Sequence, residues 1–187
     1  MKRGFTLIEL LIVMGILAVL ATVVVLVLNP AQILAQARDA QRISDLASVR
    51  SAIALYLSTT TSTPNVGAGP YGTFGITTST CGFGTCNGLS DATRTKVDGT
   101  GWVRINFTET LGGAPLAALP VDPTNNATYQ YAYNGNVASK TFELNGRLES
   151  DKHKDLMKND GGDDSTCVTY TEEACYYEIG TAPGLAL

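Results

Sequence analysis

Histidine and tryptophan occur once each in 187 residues, and charged side chains make up only 16% of the chain. The scarcity of histidine removes the commonest general base and metal ligand. His153 lies in Glu149-Ser150-Asp151-Lys152-His153-Lys154-Asp155, a polar stretch that reads as exposed. No Gly-rich phosphate loop opens a helix, no metalloprotease helix motif occurs, and no histidine is set beside a Ser or Cys nucleophile. The sequence therefore points away from an enzyme. Basic residues are also few where they would be needed to hold nucleic acid. Residues 1–58 carry five basic and three acidic side chains, whereas residues 59–187 carry eight and fourteen, a net of −6. That balance argues against nucleic acid as the partner of the outer part, since such a partner needs a basic patch to neutralise phosphates.

What the chain does have is a long apolar run. Thr6 to Leu28 spans 23 residues, sixteen of them Leu, Ile or Val, and Glu9 is the one charge among them. At about 1.5 Å of rise per residue, this length crosses a hydrocarbon core of roughly 30 Å. Each aliphatic favours insertion by about 0.3–0.6 kcal/mol, so the sum exceeds the roughly 2.5–3.5 kcal/mol cost of a central acidic residue. A secretory signal peptide would have a shorter core followed by a small-residue cleavage site. Here the small residue, Gly4, precedes the run. A plain single-span anchor would satisfy the run but would leave Glu9 unexplained, and an intramembrane carboxylate is by default a functional group. Lys2 and Arg3 hold the N-terminus on the cytoplasmic side of the cell membrane, placing everything after Leu28 outside it.

The leader Met1-Lys2-Arg3-Gly4, followed by Phe5-Thr6-Leu7-Ile8-Glu9 and the apolar run, resembles the prepilin signal of type IV pilins and of type II secretion pseudopilins. The resemblance implies cleavage by a prepilin peptidase between Gly4 and Phe5, N-methylation of Phe5, and passage through an inner-membrane assembly platform. It also implies polymerisation with identical subunits into a periplasmic or extracellular filament. Glu9 then becomes a register device, because pairing with a neighbour's N-terminal amine relieves the cost of a carboxylate in lipid. Many relatives break the membrane helix nearer its middle; here Asn29-Pro30 stands at the outer edge and predicts a kink there. The alternative is a minor pilin, acting at a filament tip as an adhesin or ligand-binding module.

Four segments follow: a leader (1–4), a transmembrane and polymerisation helix (5–30), an amphipathic helix (31–58) and an outer head (59–187). In the second helix Ile33/Leu34, Ala37, Ile43, Leu46, Val49, Ile53 and Leu57 recur at helical steps and predict the buried face. Arg38, Arg42, Asp39 and Asp45 are expected to form a solvated or subunit-facing charged stripe. The Thr-Ser-Pro stretch at 59–64 ends the stem. In the head, Trp102-Val103-Arg104-Ile105-Asn106-Phe107 alternates as a strand, with Val103, Ile105 and Phe107 inward. Tyr129–Tyr133 and Thr141–Leu148 flank Asn134-Gly135-Asn136 as a hairpin. Its second arm turns Phe142, Leu144 and Leu148 inward and Glu143, Asn145 and Arg147 outward. The predicted fold is α+β, with a long N-terminal helix packed on a small antiparallel sheet. The run Leu119-Pro120-Val121-Asp122-Pro123, with the hairpin and Leu148-Glu149, resembles the sheet region of major pseudopilins.

Cys81, Cys86, Cys167 and Cys175 allow three pairings. The two local ones are favoured by short separation in a compartment that permits oxidation, each restricting the unfolded chain by about 2–2.5 kcal/mol. Zinc is disfavoured, since neither pair has two-residue spacing and the one histidine has no partner near it. The region between Cys167 and Cys175 resembles the disulfide-bounded surface of many type IV pilins. Asn159-Asp160-Gly161-Gly162-Asp163-Asp164-Ser165 gathers the hard oxygen ligands that Ca²⁺ prefers. Asp160, Asp163, Asp164 and Ser165 are therefore candidate calcium ligands, a site that major pseudopilins are known for in this region; a solvated acidic loop is the alternative.

Overall fold

The computed structural model of the chain describes residues 4–60, 62–158, 160 and 175–182. Helix α1 runs Leu7–Leu28, capped by the Thr6 side chain, which accepts the Glu9 N–H at 3.3 Å. Helix α2 runs Pro30–Thr59. The expected single stem with a kink is in fact two helices. Asn29 takes a left-handed conformation (φ 41°), which ends α1, and Pro30 opens α2 at a position where a missing N–H costs nothing. The stem ends where predicted, with Thr60 extended.

Six strands form one sheet: β1 (Tyr71–Gly72), β2 (Thr78–Cys81), β3 (Gly84–Asn87), β4 (Tyr131–Asn136), β5 (Thr141–Gly146) and β6 (Tyr177–Gly180). Their order is β2-β3-β1-β4-β5-β6, antiparallel except for the β1–β3 pair. Helix α2 lies across one face. Leu46, Val49, Ile53 and Tyr56 meet Tyr131, Tyr133, Phe142 and Leu144 from the sheet. Trp102, Ile105 and Phe107 close the same core. Full burial of such a side chain contributes about 1.5–3 kcal/mol. The predicted α+β architecture is the one observed.

Three local expectations change. Trp102–Phe107 is not a ladder strand. Gly99 (φ 86°) and an isolated bridge between Asp98 and Asn106 bend the chain, and Asn106 caps a 3-10 turn at Phe107–Glu109. Val103, Ile105 and Phe107 are nevertheless buried, and so is Trp102, whose indole N–H donates to the Pro120 carbonyl at 2.9 Å. The hairpin turn is Val137–Lys140, with Asn136 Oδ1 accepting the Ala138 and Ser139 N–H groups and Lys140 at φ 59°. Asn134-Gly135-Asn136 is strand. Gly135 is there because a Cβ would collide with the carbonyls of Val66 and Gly67 and with the Tyr133 hydroxyl.

The third change concerns the second arm. Glu143 and Asn145 do not face solvent; each is only 1% exposed. The β2–β3 hairpin folds back over this side of the sheet, where Cys81, Cys86 and Phe83 pack on Ala132 and Gly82 presses on the Asn145 side chain. A small sheet is thus covered on both faces, by a helix on one and by a disulfide-closed hairpin on the other.

Candidate assembly segment and the charged anchor of the stem

At the N-terminus Gly4 is in open space and Phe5 is 79% exposed. Glu9 follows Phe5 by four positions and sits in the first turn of α1, whose extended N-cap, Thr6, separates the two. It is exposed, and its backbone N–H is the one held by the Thr6 cap. Leu7–Val25 has a mean hydropathy of 2.8 over its most apolar window, and none of it is buried within the molecule. It is long and apolar enough to cross a membrane. Gly4 and Phe5 precede α1 and Glu9 opens it, on a helix whose residues from Leu7 to Val25 are not buried against the head.

The second charged site lies where the stem meets the head. Residues Ala35, Asp39, Arg42, Leu46, Val49, Ala52, Ile53 and Tyr56 form the buried face of α2. The expected solvated charge stripe is therefore wrong for Asp39 and Arg42, both 0% exposed. Ile33 and Leu34, expected inside, are 49% and 59% exposed, and Ala37 is exposed too. Arg42 uses all five of its N–H donors. Nε and Nη2 clamp Asp122 at 2.7 and 3.1 Å, and Nη1 reaches Asp39 and Glu149, both at 2.8 Å. A second bond from Nη2 goes to Thr124 Oγ1 at 3.0 Å, and the guanidinium lies 4.8 Å from the centre of the Tyr129 ring.

The anchor extends in both directions along the helix. Arg38 makes its own fork with Glu149, at 2.6 and 2.9 Å. Asp39 accepts the backbone N–H groups of Glu149 and Ser150 as well as Arg42. Asp45 accepts the Tyr131 hydroxyl at 3.0 Å. His153 is half-buried rather than exposed, with Nδ1 3.3 Å from Ser150 Oγ and 3.9 Å from Asp39 Oδ2. Burial alone would lower the Arg42 pKa. Its bonds to Asp122, then to Glu149 and Asp39, outweigh burial and hold it above the ordinary arginine value. The Arg38 fork, opposed by burial and aided by Arg42, keeps the Glu149 carboxyl below the usual range. Burial first, and its bond from Tyr131 only in opposition, pushes Asp45 up. Burial and the neighbouring Asp45 push the Tyr131 phenol up.

These long-range partners escaped sequence reasoning, because Asp122 and Glu149 lie 80 and 107 residues from Arg42. The one signal was their place in Leu119-Pro120-Val121-Asp122-Pro123 and Leu148-Glu149, segments already picked out by resemblance. Of the cysteines, Cys81 and Cys86 form the expected local disulfide, with Cα atoms 5.8 Å apart. Cys175 is disulfide-bonded as well, and Cys167 lies outside the described residues. Of the four candidate calcium ligands only Asp160 is described. Its Oδ2 accepts the Glu178 backbone N–H at 2.7 Å, tying the start of the acidic loop to β6. Asp163, Asp164 and Ser165 lie outside the described residues. No group of three His, Cys, Asp or Glu placed to hold a metal occurs among the described residues.

Residues 1–25 match the family model of the prokaryotic N-terminal methylation motif. The chain thus carries the prepilin-type signal of type IV pilins and pseudopilins. No curated protein and no solved structure matches the chain.

Proposed function

We propose that this chain is a structural filament subunit. A prepilin peptidase cuts between Gly4 and Phe5, and Phe5 is N-methylated. The mature chain waits in the bacterial cytoplasmic membrane with its N-terminus inside. An inner-membrane assembly platform then adds it to identical copies in a type IV pilus or a type II secretion pseudopilus. The observation that carries this reading is the methylation motif on a helix wholly exposed from Leu7 to Val25. Sixteen aliphatic side chains at about 1.5–3 kcal/mol each cannot be left in water, so α1 lies either in lipid or against other copies. Glu9 stands in the first turn of α1, four residues after Phe5, where a neighbour's methylated amine would neutralise it as the helix leaves the membrane.

The acidic loop is proposed to bind Ca²⁺ through Asp160, Asp163, Asp164 and Ser165, supported by the hard-oxygen chemistry of that donor set and by the anchoring of Asp160 to β6. Bound calcium would tie the loop down; no other chemistry is assigned to it.

Mass spectrometry of the mature chain from cells tests the processing step. The expected result is an N-terminus at methylated Phe5. Chains that begin at Met1, or beyond residue 20, would contradict the filament reading. Antibody labelling of sheared filaments then separates a major subunit, seen along the whole length, from a minor one confined to the tip.

A further inference from the structure

The pattern Asn-x-Thr occurs twice in the head, as Asn106-Phe107-Thr108 and Asn126-Ala127-Thr128. It is the acceptor pattern for N-linked glycans, whose bulk confines them to open surface. The fold treats its two copies in opposite ways. At the first, Asn106 Nδ2 donates to Glu109 Oε1 at 2.9 Å, and the Thr108 hydroxyl donates to Asn106 Oδ1 at 2.6 Å. Phe107, between them, is buried in the core under α2. Nitrogen and hydroxyl are both engaged, and this backbone could not enter a transferase without unpacking the core.

The second copy is open. Asn126, Ala127 and Thr128 are all exposed. Asn126 Oδ1 accepts the N–H groups of Thr128 and Tyr129 at 2.9 and 2.8 Å, and the Asn126 backbone N–H donates to the Tyr129 carbonyl at 2.9 Å. Two donors converging on one atom fix it as the oxygen, which leaves Nδ2 on the other side of the amide. Neither Nδ2 nor the Thr128 hydroxyl bonds to another of the described residues. Beside this turn lies a cavity of about 210 Å³, walled by Ala127 and Thr128 together with Thr80, Arg147 and Tyr176. Its walls are fixed. Thr80 belongs to the disulfide-closed hairpin, and its carbonyl accepts Gln130 Nε2 at 2.8 Å. Arg147 and Tyr176 adjoin Gly146 and Tyr177, which pair across β5 and β6. A phenol ring, two hydroxyls and a guanidinium suit the apolar face and the hydroxyl rim of a sugar. The volume, below the roughly 300–1,000 Å³ of drug-sized sites, limits the occupant to about one ring. Five N–H donors let Arg147 hold a protein partner and still meet a sugar hydroxyl.

We propose that Asn126 carries an N-linked glycan whose first sugar seats in this cavity. In the transfer, Nδ2 attacks the anomeric carbon of a pyrophosphate-linked sugar donor. The C–N bond forms as the C–O bond to pyrophosphate breaks, the pyrophosphate leaves with the bonding pair, and one Nδ2 proton passes to the transferase. The inference does not need the chain to polymerise, only its head to meet such an enzyme.

Mass spectrometry of the full-length mature chain, from the cells that make it, tests the attachment. Trypsin leaves both patterns on Ile105–Lys140, and a glutamyl protease divides that peptide after Glu109. The 110–140 piece should carry a sugar mass and the 105–109 piece none. Asn126→Gln should lower occupancy at least tenfold, and so should Thr128→Ala, which keeps the Asn126 turn; Thr128→Ser should retain the sugar. An unmodified 110–140 piece, sugar on Asn106, or sugar that survives Asn126→Gln overturns the site. The seat is tested by urea unfolding followed through Trp102. The glycosylated parent should have a higher midpoint than Asn126→Gln, and this difference should vanish when both chains also carry Arg147→Ala. Equal midpoints for the parent and Asn126→Gln, or a difference that persists beside Arg147→Ala, overturn the seat and leave the attachment standing.

Discussion

Replacing Arg42 by Met is the sharpest perturbation the fold offers. The guanidinium is fully buried and satisfies three carboxylates, those of Asp122, Asp39 and Glu149. Met fills most of the space but leaves Asp39 and Asp122 as buried charges without their cation. Removing one partner of a buried ion pair costs about 3–5 kcal/mol, a large share of the 5–15 kcal/mol typical of a domain. Trp102 is the chain's one tryptophan and is 0% exposed in the core, so its fluorescence reports unfolding of the head in the full chain held in mild detergent. At a slope of about 2 kcal/mol per molar urea, the midpoint should fall by about 1.5–2.5 M. The triple variant Arg42→Met/Asp39→Asn/Asp122→Asn removes the stranded charges along with the cation and should recover most of the loss, since an apolar or neutral replacement of a whole buried array is often near neutral. A midpoint shift under about 0.5 M in Arg42→Met would refute the reasoning, because it would mean that the carboxylates do not depend on this arginine.

Glu149 supplies a pH dependence of stated sign. Its folded pKa lies below the unfolded one, so its contribution is present above about pH 4.3 and is lost as pH falls below that value and through the folded pKa. Arg38→Gln should flatten the acid limb of head stability followed through Trp102, and an unchanged limb would contradict the assignment. Glu9→Ala should leave the urea midpoint of the head where it was, since Glu9 lies outside the head, while sheared filament yield falls sharply; normal filaments would remove its role in register. Calcium should raise the melting temperature of the parent chain, by about 2.7 kcal/mol of added stability at a hundredfold excess over Kd, with magnesium doing less. A response that survives in Asp163→Ala/Asp164→Ala would place the ion elsewhere.

The stem was legible because its signals are local. Twenty-three residues with one charge, a Pro after an Asn, and a Thr-rich stop lie within one stretch of chain and need no distant partner. The head was legible in class but not in detail. An Asn-Gly-Asn sequence is a strong turn signal, yet Gly135 is demanded by the approach of the Val66–Gly67 backbone, which no local pattern encodes. The alternation at Trp102–Phe107 correctly located inward side chains while misnaming the backbone, because burial and a hydrogen-bonded ladder are separate requirements that often coincide.

The misread face of α2 has a more instructive cause. Apolar periodicity finds the buried side of a helix only when burial is achieved with apolar groups. Along α2 the lower half does follow that rule, at Leu46, Val49, Ile53 and Tyr56, and there the prediction was nearly right. Nearer the start of α2 the head offers Asp122 and Glu149 instead of a hydrophobic sheet face, so the helix answers with Arg42 and Arg38, and Asp39 turns to the Glu149 and Ser150 amides. The aliphatics Ile33 and Leu34 are then released to the outside. A pattern reader that assumes charges face water must rotate the helix the wrong way at this point. The residues that could correct it are the outward ones: Ser44, Ser48 and Ser51 are exposed where a pattern reader would look for Lys and Glu, so the uncharged side of this helix is its solvent side and the charged side is the one that meets the head.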